Sequence, residues 1–176
     1  MIGVTVLGST GSIGVSTLDV ISRHPGRYRV VALTANRDVD GLIRQCRVFG
    51  PDYAAMADSR SAQDLKQRVE AENLPVKVLS GKQGLEEVAA LPEVDQVMAA
   101  IVGAAGLAPA LAGVRAGKRI LLANKEALVV SGRLFMEEAE RHGARILPID
   151  SEHNAVFQCM PADFGRGLEE VGVRRI

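Results

Sequence analysis

Three short stretches of this 176-residue chain hold side chains whose types and spacing can do chemistry. Asp150-Ser151-Glu152 places two carboxylates one residue apart at a turn, where both can converge on one hard cation. Mg2+ and Mn2+ prefer such oxygen ligands. The same residues suit a helix start equally, with Asp150 or Ser151 as the cap and Glu152 in the first turn. Asn124-Lys125-Glu126 opens a helical pattern, and a lysine there opposes the helix dipole unless an anion or a substrate oxygen compensates it. Asn124 is also an ordinary capping residue. In Gly8-Ser9-Thr10-Gly11-Ser12-Ile13-Gly14, glycine recurs at every third position. With no Cβ in the way the backbone can run close to a bulky anion, and the unpaired N–H groups of the following helix form a phosphate site. No Ser/His/Asp or Cys/His set points to nucleophilic catalysis. His24, His142 and His153 are read as structural or surface residues, His153 with no obvious partner.

Such residues need rigid elements behind them. Ile2 to Leu7 reads as a buried strand and Ser12 to Arg23 as a helix, so the glycines occupy a strand-to-helix turn. A second buried strand, 28–35, ends in Asn36-Arg37-Asp38. In nucleotide folds an acid at that strand end binds a free ribose 2′-hydroxyl, whereas an arginine accommodates a 2′-phosphate. Here the carboxylate misses the last strand position and a guanidinium sits just past it, which favours NADP(H) over NAD(H). Arg37 as a solvated loop residue is the competing reading. Further along, 40–49, 61–71, 84–90, 107–116 and 124–142 read as helices, and 53–56, 76–79, 96–102, 119–123 and 144–149 as strands. Gly103 to Gly106, small residues after a strand, allow a cofactor or a packing helix to come close. This alternation predicts an α/β fold: a doubly wound, mostly parallel, Rossmann-like sheet with helices on both faces. Val171 to Ile176 reads as the beginning of a strand. The chain is therefore expected to be a piece of something longer, with a nucleotide-binding domain over 1–149 and the start of a second domain over 150–176.

Composition narrows the class of partner. Lys plus Arg and Asp plus Glu are both 21, and no block of five like charges occurs, so neither nucleic acid nor an anionic membrane is expected. The apolar run Val97 to Gly103 is too short to cross a bilayer, and the start lacks a signal-peptide pattern. A cytoplasmic location follows by default. Cys46 and Cys159 have no metal-like spacing and are read as reduced. Aromatic residues make up only 3% of the chain, which leaves the core to Ala, Val, Leu and Ile, as in parallel sheets.

Four blocks together resemble 1-deoxy-D-xylulose 5-phosphate reductoisomerases: Leu7 to Gly14, Ala99 to Leu107, Leu122 to Glu126 and Asp150 to Asn154. They occur in the family's order and spacing, and the resemblance covers the whole chain while stopping well short of the family's full length. It implies an NADPH-dependent, divalent-metal-assisted conversion of 1-deoxy-D-xylulose 5-phosphate to 2-C-methyl-D-erythritol 4-phosphate, a step of the non-mevalonate route to isoprenoids. By the same resemblance Thr10, Gly11, Ser12 and Ile13 hold the cofactor's pyrophosphate, Asn36, Arg37 and Asp38 surround its 2′-phosphate, and Asn124 and Glu126 contact it. Lys125 meets the substrate, as do Ser151 and Glu152. Asp150 and Glu152 ligate Mg2+ or Mn2+, and Lys125 and Glu152 are the catalytic candidates. Asp38 departs from the asparagine many members carry, and a carboxylate beside a phosphate repels it unless turned away. The family's remaining metal ligand and substrate-phosphate contacts lie beyond Ile176. The chain alone is thus expected to bind NADPH without turnover, and the full-length protein to be a homodimer. The rivals are another NADP-dependent reductase, such as a semialdehyde or homoserine dehydrogenase, or a non-catalytic nucleotide-sensing module.

Overall fold

In the computed structural model, which describes residues 1–123 and 125–175, strand and helix alternate from the first residues onward. The strands are β1 (Ile2–Leu7), β2 (Tyr28–Ala35), β3 (Tyr53–Met56), β4 (Lys77–Ser80), β5 (Gln96–Ala99), β6 (Arg119–Leu122) and β7 (Arg145–Pro148). Between and after them run α1 (Ser12–Ser22), α2 (Val39–Phe49), α3 (Ser59–Ala71), α4 (Gly81–Ala90), α5 (Leu107–Arg115), α6 (Glu126–His142) and α7 (Ser151–Cys159). The strands form one 7-stranded sheet in the order β4-β3-β2-β1-β5-β6-β7. Every pairing in it is parallel. The strand order therefore reverses direction at β1, which pairs with β2 on one side and β5 on the other. That reversal opens a crevice at the carboxyl ends of β1 and β5, the place where ligands bind in such sheets.

Alternate side chains of each strand supply two separate cores, because successive residues point to opposite faces. Val4 and Val6 pack with Leu18 of α1, Leu42, Ile43 and Cys46 of α2, and Leu65 and Val69 of α3. Leu7, Val97, Ile120 and Leu122 pack on the opposite face with Leu85 and Val88 of α4, Val114 of α5 and Phe135 and Ala139 of α6. Small residues let the layers close up. At Gly113 an added Cβ would meet the Ile120 side chain at 3.0 Å. Buried polar groups are matched: Thr5 Oγ1 donates to Val88 O at 2.8 Å, and Glu138, 5% exposed, receives Arg115 Nε at 2.6 Å and Arg141 Nη1 at 2.8 Å.

The sheet is wholly parallel, so the doubly wound reading holds in its stricter form. Several element ends shift by one to three residues, and two segments depart further from the sequence reading. β5 stops at Ala99 although the apolar run continues, because Gly103 turns the chain at φ 73° and leaves Val102 82% exposed, with no neighbouring strand. Nor do 171–175 begin a strand. Val171 N donates to Gly167 O and Val173 N to Leu168 O, closing the segment into turns instead of offering it to a sheet edge. Ile176 lies outside the described residues. Burial pushes the Cys46 thiol to about 11, and Cys159 is exposed; both are free.

Candidate functional site

At the end of β1 the chain reverses through Gly8, whose φ of 78° favours glycine. An added Cβ there would meet Ala100 O at 3.0 Å, so the turn lies directly against the exit of β5. Gly11 is the N-cap of α1 and offers no side-chain hydrogen bond. The first-turn N–H groups of Ser12, Ile13 and Gly14 therefore point outward without intrahelical acceptors. At Gly14 an added Cβ would lie 2.4 Å from Gly8 O and 2.5 Å from Ser9 Cα. Helix and turn can meet this closely only because Gly14 has no side chain. The result is an uncapped helix N-terminus at the crevice, a geometry fitted to a pyrophosphate.

The turn is braced from behind by β2 and α2. Gly8 N donates to Thr34 Oγ1 at 2.9 Å and Ser9 N to Thr34 O at 2.8 Å. Gln45 Nε2 donates to Ser9 O at 2.8 Å, and Ser9 Oγ lies 2.6 Å from Gln45 Oε1. No sequence motif marks Thr34 or Gln45. The available signal was a lone amide on the apolar face of α2, beside Leu42, Ile43, Cys46 and Phe49.

Beyond β2, Arg37 is 78% exposed and its Nε lies 3.7 Å from Asp58 Oδ2. It can reorient toward an anion over the crevice at little cost, because an exposed pair of this length is weak. Asp38 faces the other way. Its Oδ1 accepts from Gly41 N at 2.8 Å and caps α2, and a Cβ at Gly41 would lie 2.1 Å from its Oδ2. The carboxylate is thus turned into the helix start.

On the other side of β1, the ends of β5 and β6 close a small cleft of about 160 Å³ lined by Ile13, Ala100, Val102, Ala123, Lys125 and Glu126. The structure thereby brings Ile13 of the turn together with Lys125 and Glu126, which the sequence separates by more than a hundred positions. Lys125 occupies the N-cap position of α6; Asn124 lies outside the described residues. Asp150 caps α7, its Oδ1 accepting from His153 N at 3.0 Å and lying 2.6 Å from His153 Nδ1. His153 therefore has a partner, contrary to the sequence reading. The His153 N–H, then the His153 ring and the nearby Lys125 ammonium, hold the Asp150 carboxyl below its usual range despite partial burial that opposes them. Asp150 Oδ2 has no protein partner among the described residues. Glu152 is exposed, touched by Ser151 Oγ at 3.1 Å. Two hard-oxygen carboxylates of this kind suit Mg2+ or Mn2+. Among the described residues no group of three potential metal ligands forms.

The strand reversal at β1, the glycine turn and the uncapped α1 define an α/β fold of the Rossmann kind. A family model of 1-deoxy-D-xylulose 5-phosphate reductoisomerase matches residues 4–132. The chain is 64% identical over its whole length to the 1-deoxy-D-xylulose 5-phosphate reductoisomerase of Methylococcus capsulatus, and 60% identical over 98% of its length to that of Nitrosomonas europaea. It covers 45% and 42% of those proteins, less than half of each. A crystal structure of DOX-P reductoisomerase in complex with NADPH, fosmidomycin and magnesium superposes with a TM-score of 0.93 at 48% identity, over 98% of this chain and 42% of that one. The Zymomonas mobilis enzyme in complex with NADPH gives 0.88 at 46% identity, over 93% and 42%. The chain belongs to the 1-deoxy-D-xylulose 5-phosphate reductoisomerase family. The rival readings, another NADP-dependent reductase or a sensing module, are not favoured by these comparisons.

Proposed function

We propose that this chain is the NADPH-binding portion of an enzyme that converts 1-deoxy-D-xylulose 5-phosphate to 2-C-methyl-D-erythritol 4-phosphate. The observation that carries the reading is the convergence of Ile13, Lys125 and Glu126 on one cleft, with Asp150 within electrostatic reach of Lys125. When bound, NADPH supplies the hydride and a divalent cation supplies Lewis acidity.

This chain's own residues bind and orient. The N–H groups after Gly11, with the Thr10 and Ser12 hydroxyls, hold the pyrophosphate. Arg37 and Asn36 take the 2′-phosphate, and Asp38 serves them indirectly by fixing the start of α2. Asn124 and Glu126 contact the cofactor. Lys125 is a catalytic residue that places its positive charge on a substrate oxygen, where charge develops during rearrangement and reduction. Asp150 and Glu152 hold Mg2+ or Mn2+, and Ser151 and Glu152 also touch substrate. The proposal includes a domain boundary near 149/150, supported by the absence of buried residues in α7. It also includes a homodimeric, cytoplasmic enzyme acting on a small phosphorylated sugar, with no nucleic-acid or membrane partner. In support, the formal net charge is zero and, among the described residues, no helix is long and apolar enough to cross a membrane.

The test is NADPH consumption with 1-deoxy-D-xylulose 5-phosphate and Mg2+ or Mn2+, measured on the full-length protein and on the 176-residue chain. Turnover is expected from the first and not the second. No turnover by the full-length protein overturns the activity, and turnover by the shorter chain overturns the view that essential groups lie outside it.

A further inference from the structure

The turn that faces the pyrophosphate and the loop that faces the 2′-phosphate sit on different elements, β1–α1 and β2–α2, yet one ligand has to meet both. Two side chains tie these elements together at the turn itself, Thr34 of β2 through Gly8 N and Gln45 of α2 through Ser9. Ser9 is fully buried, and its hydroxyl has one hydrogen to give. The nearest acceptor is Gln45 Oε1 at 2.6 Å, with Thr34 O farther away at 3.1 Å. In return Gln45 Nε2 donates to Ser9 O at 2.8 Å, closing a two-bond ring. An amide serves both bonds: a carboxylate would set oxygen against Ser9 O, and an ammonium would leave the hydroxyl only the more distant Thr34 O. Seven residues toward the N-terminus of the same helix stands its cap, Asp38, directly after Arg37. Gln45 and Asp38 share one side of α2, where both line a groove of about 260 Å³ with Thr10.

We propose that Gln45 is a positioning residue that sets the spacing between the pyrophosphate turn and the 2′-phosphate loop, so that NADPH affinity and preference over NADH depend on it although it lies behind both. The inference rests on the NADPH reading of the site. A latch of this kind strengthens both cofactors through the turn, but it strengthens NADPH more, since only NADPH carries a 2′-phosphate for the β2–α2 loop to hold. A residue that merely stabilises the fold affects both cofactors equally.

The test is fluorescence titration of the 176-residue chain with NADPH and with NADH, for wild type and Gln45→Met, which keeps the length of the side chain and removes both hydrogen bonds. The ratio of the two dissociation constants is expected to shrink by about threefold or more, both cofactors binding more weakly. Gln45→Glu, which reverses one bond, is expected to shrink it at least as far. If Gln45→Met fails to fold, Ser9→Ala removes the hydroxyl arm alone and is read by the same ratio. A folded variant with the wild-type ratio overturns the latch while leaving the NADPH reading intact. A wild-type chain that binds no NADPH, or prefers NADH, overturns that reading and the latch with it.

Discussion

Gly14→Ala tests the geometry of the phosphate turn at the point of closest approach. The new Cβ would stand 2.4 Å from Gly8 O and 2.5 Å from Ser9 Cα, whereas ordinary contact begins at 3.4 Å, and both neighbours are backbone. Turn and helix must therefore part by about 1 Å, and overpacking of that order costs about 1–3 kcal/mol. For a chain of this size each kcal/mol lowers the melting temperature by about 2–4 °C, so a fall of about 2–12 °C is expected by circular dichroism. The same displacement carries a first-turn N–H from about 2.9 Å to beyond hydrogen-bond range of a phosphate oxygen. A bond to a charged group contributes about 1.5–3 kcal/mol, which weakens NADPH binding by about 10- to 100-fold. Two other glycines separate the effects. At Gly11 an added Cβ meets only Gly8 O, at 3.4 Å, and otherwise faces open space; Gly11→Ala is expected to keep the fold and lose affinity. At Gly26 nothing lies within 4 Å but φ is +83°; Gly26→Ala is expected to lose about 1–2 kcal/mol of stability and no affinity. A Gly14→Ala chain that binds NADPH within about twofold of wild type would exclude a pyrophosphate seated on the first-turn N–H groups of α1.

Four further outcomes follow from the same structure. Asp38→Asn keeps a good cap on α2 and removes a negative charge near the 2′-phosphate loop, so NADPH should bind a few-fold more tightly with an unchanged melting temperature, whereas Arg37→Ala should lower NADPH-over-NADH selectivity by about tenfold; no change in selectivity would move the 2′-phosphate elsewhere. Glu138 is held below its ordinary value of 4.5 mainly by the Arg115 hydrogen bond, so its contribution is complete above that pH and lost as pH falls through the lowered value. The stability gap between wild type and Glu138→Gln should accordingly be widest near neutrality and close in acid, and a gap independent of pH would contradict it. In the full-length protein Asp150→Ala and Glu152→Ala should each raise the Mg2+ or Mn2+ concentration needed for activity while leaving the NADPH dissociation constant alone; an unaltered metal requirement would remove them from the metal site.

Much of this fold is legible in the sequence because a parallel sheet buries its strands on both faces. Val30 to Leu33 and Val97 to Ala99 appear as unbroken apolar runs, and glycines such as Gly50 and Gly143 mark helix ends in the left-handed conformation. The same cue misleads at Ile101 and Val102, which extend an apolar run beyond the last neighbouring strand. The chemical groups of the site are legible as local motifs, since the glycine turn, Lys125 and Asp150-Ser151-Glu152 each show their chemistry in a few residues. What brings them together is not. The pairing of Ser9 with Gln45, 36 positions away, leaves no periodic trace, and neither does the direction Asp38 faces. His153 is the reverse case: its contact with Asp150 spans only three residues and follows from the helix start once that start is known.

The central claim, that the uncapped N-terminus of α1 receives the pyrophosphate of NADPH, is tested most directly by amide chemical shifts of the isotope-labelled 176-residue chain during titration with NADPH and with NADH. NADPH is expected to shift the amides of Ser12, Ile13 and Gly14 together with those of Asn36, Arg37 and Asp38, and NADH only the first group and at higher concentration. Shifts that spare Ser12 to Gly14 while NADPH binds elsewhere, or no binding at all, would contradict it.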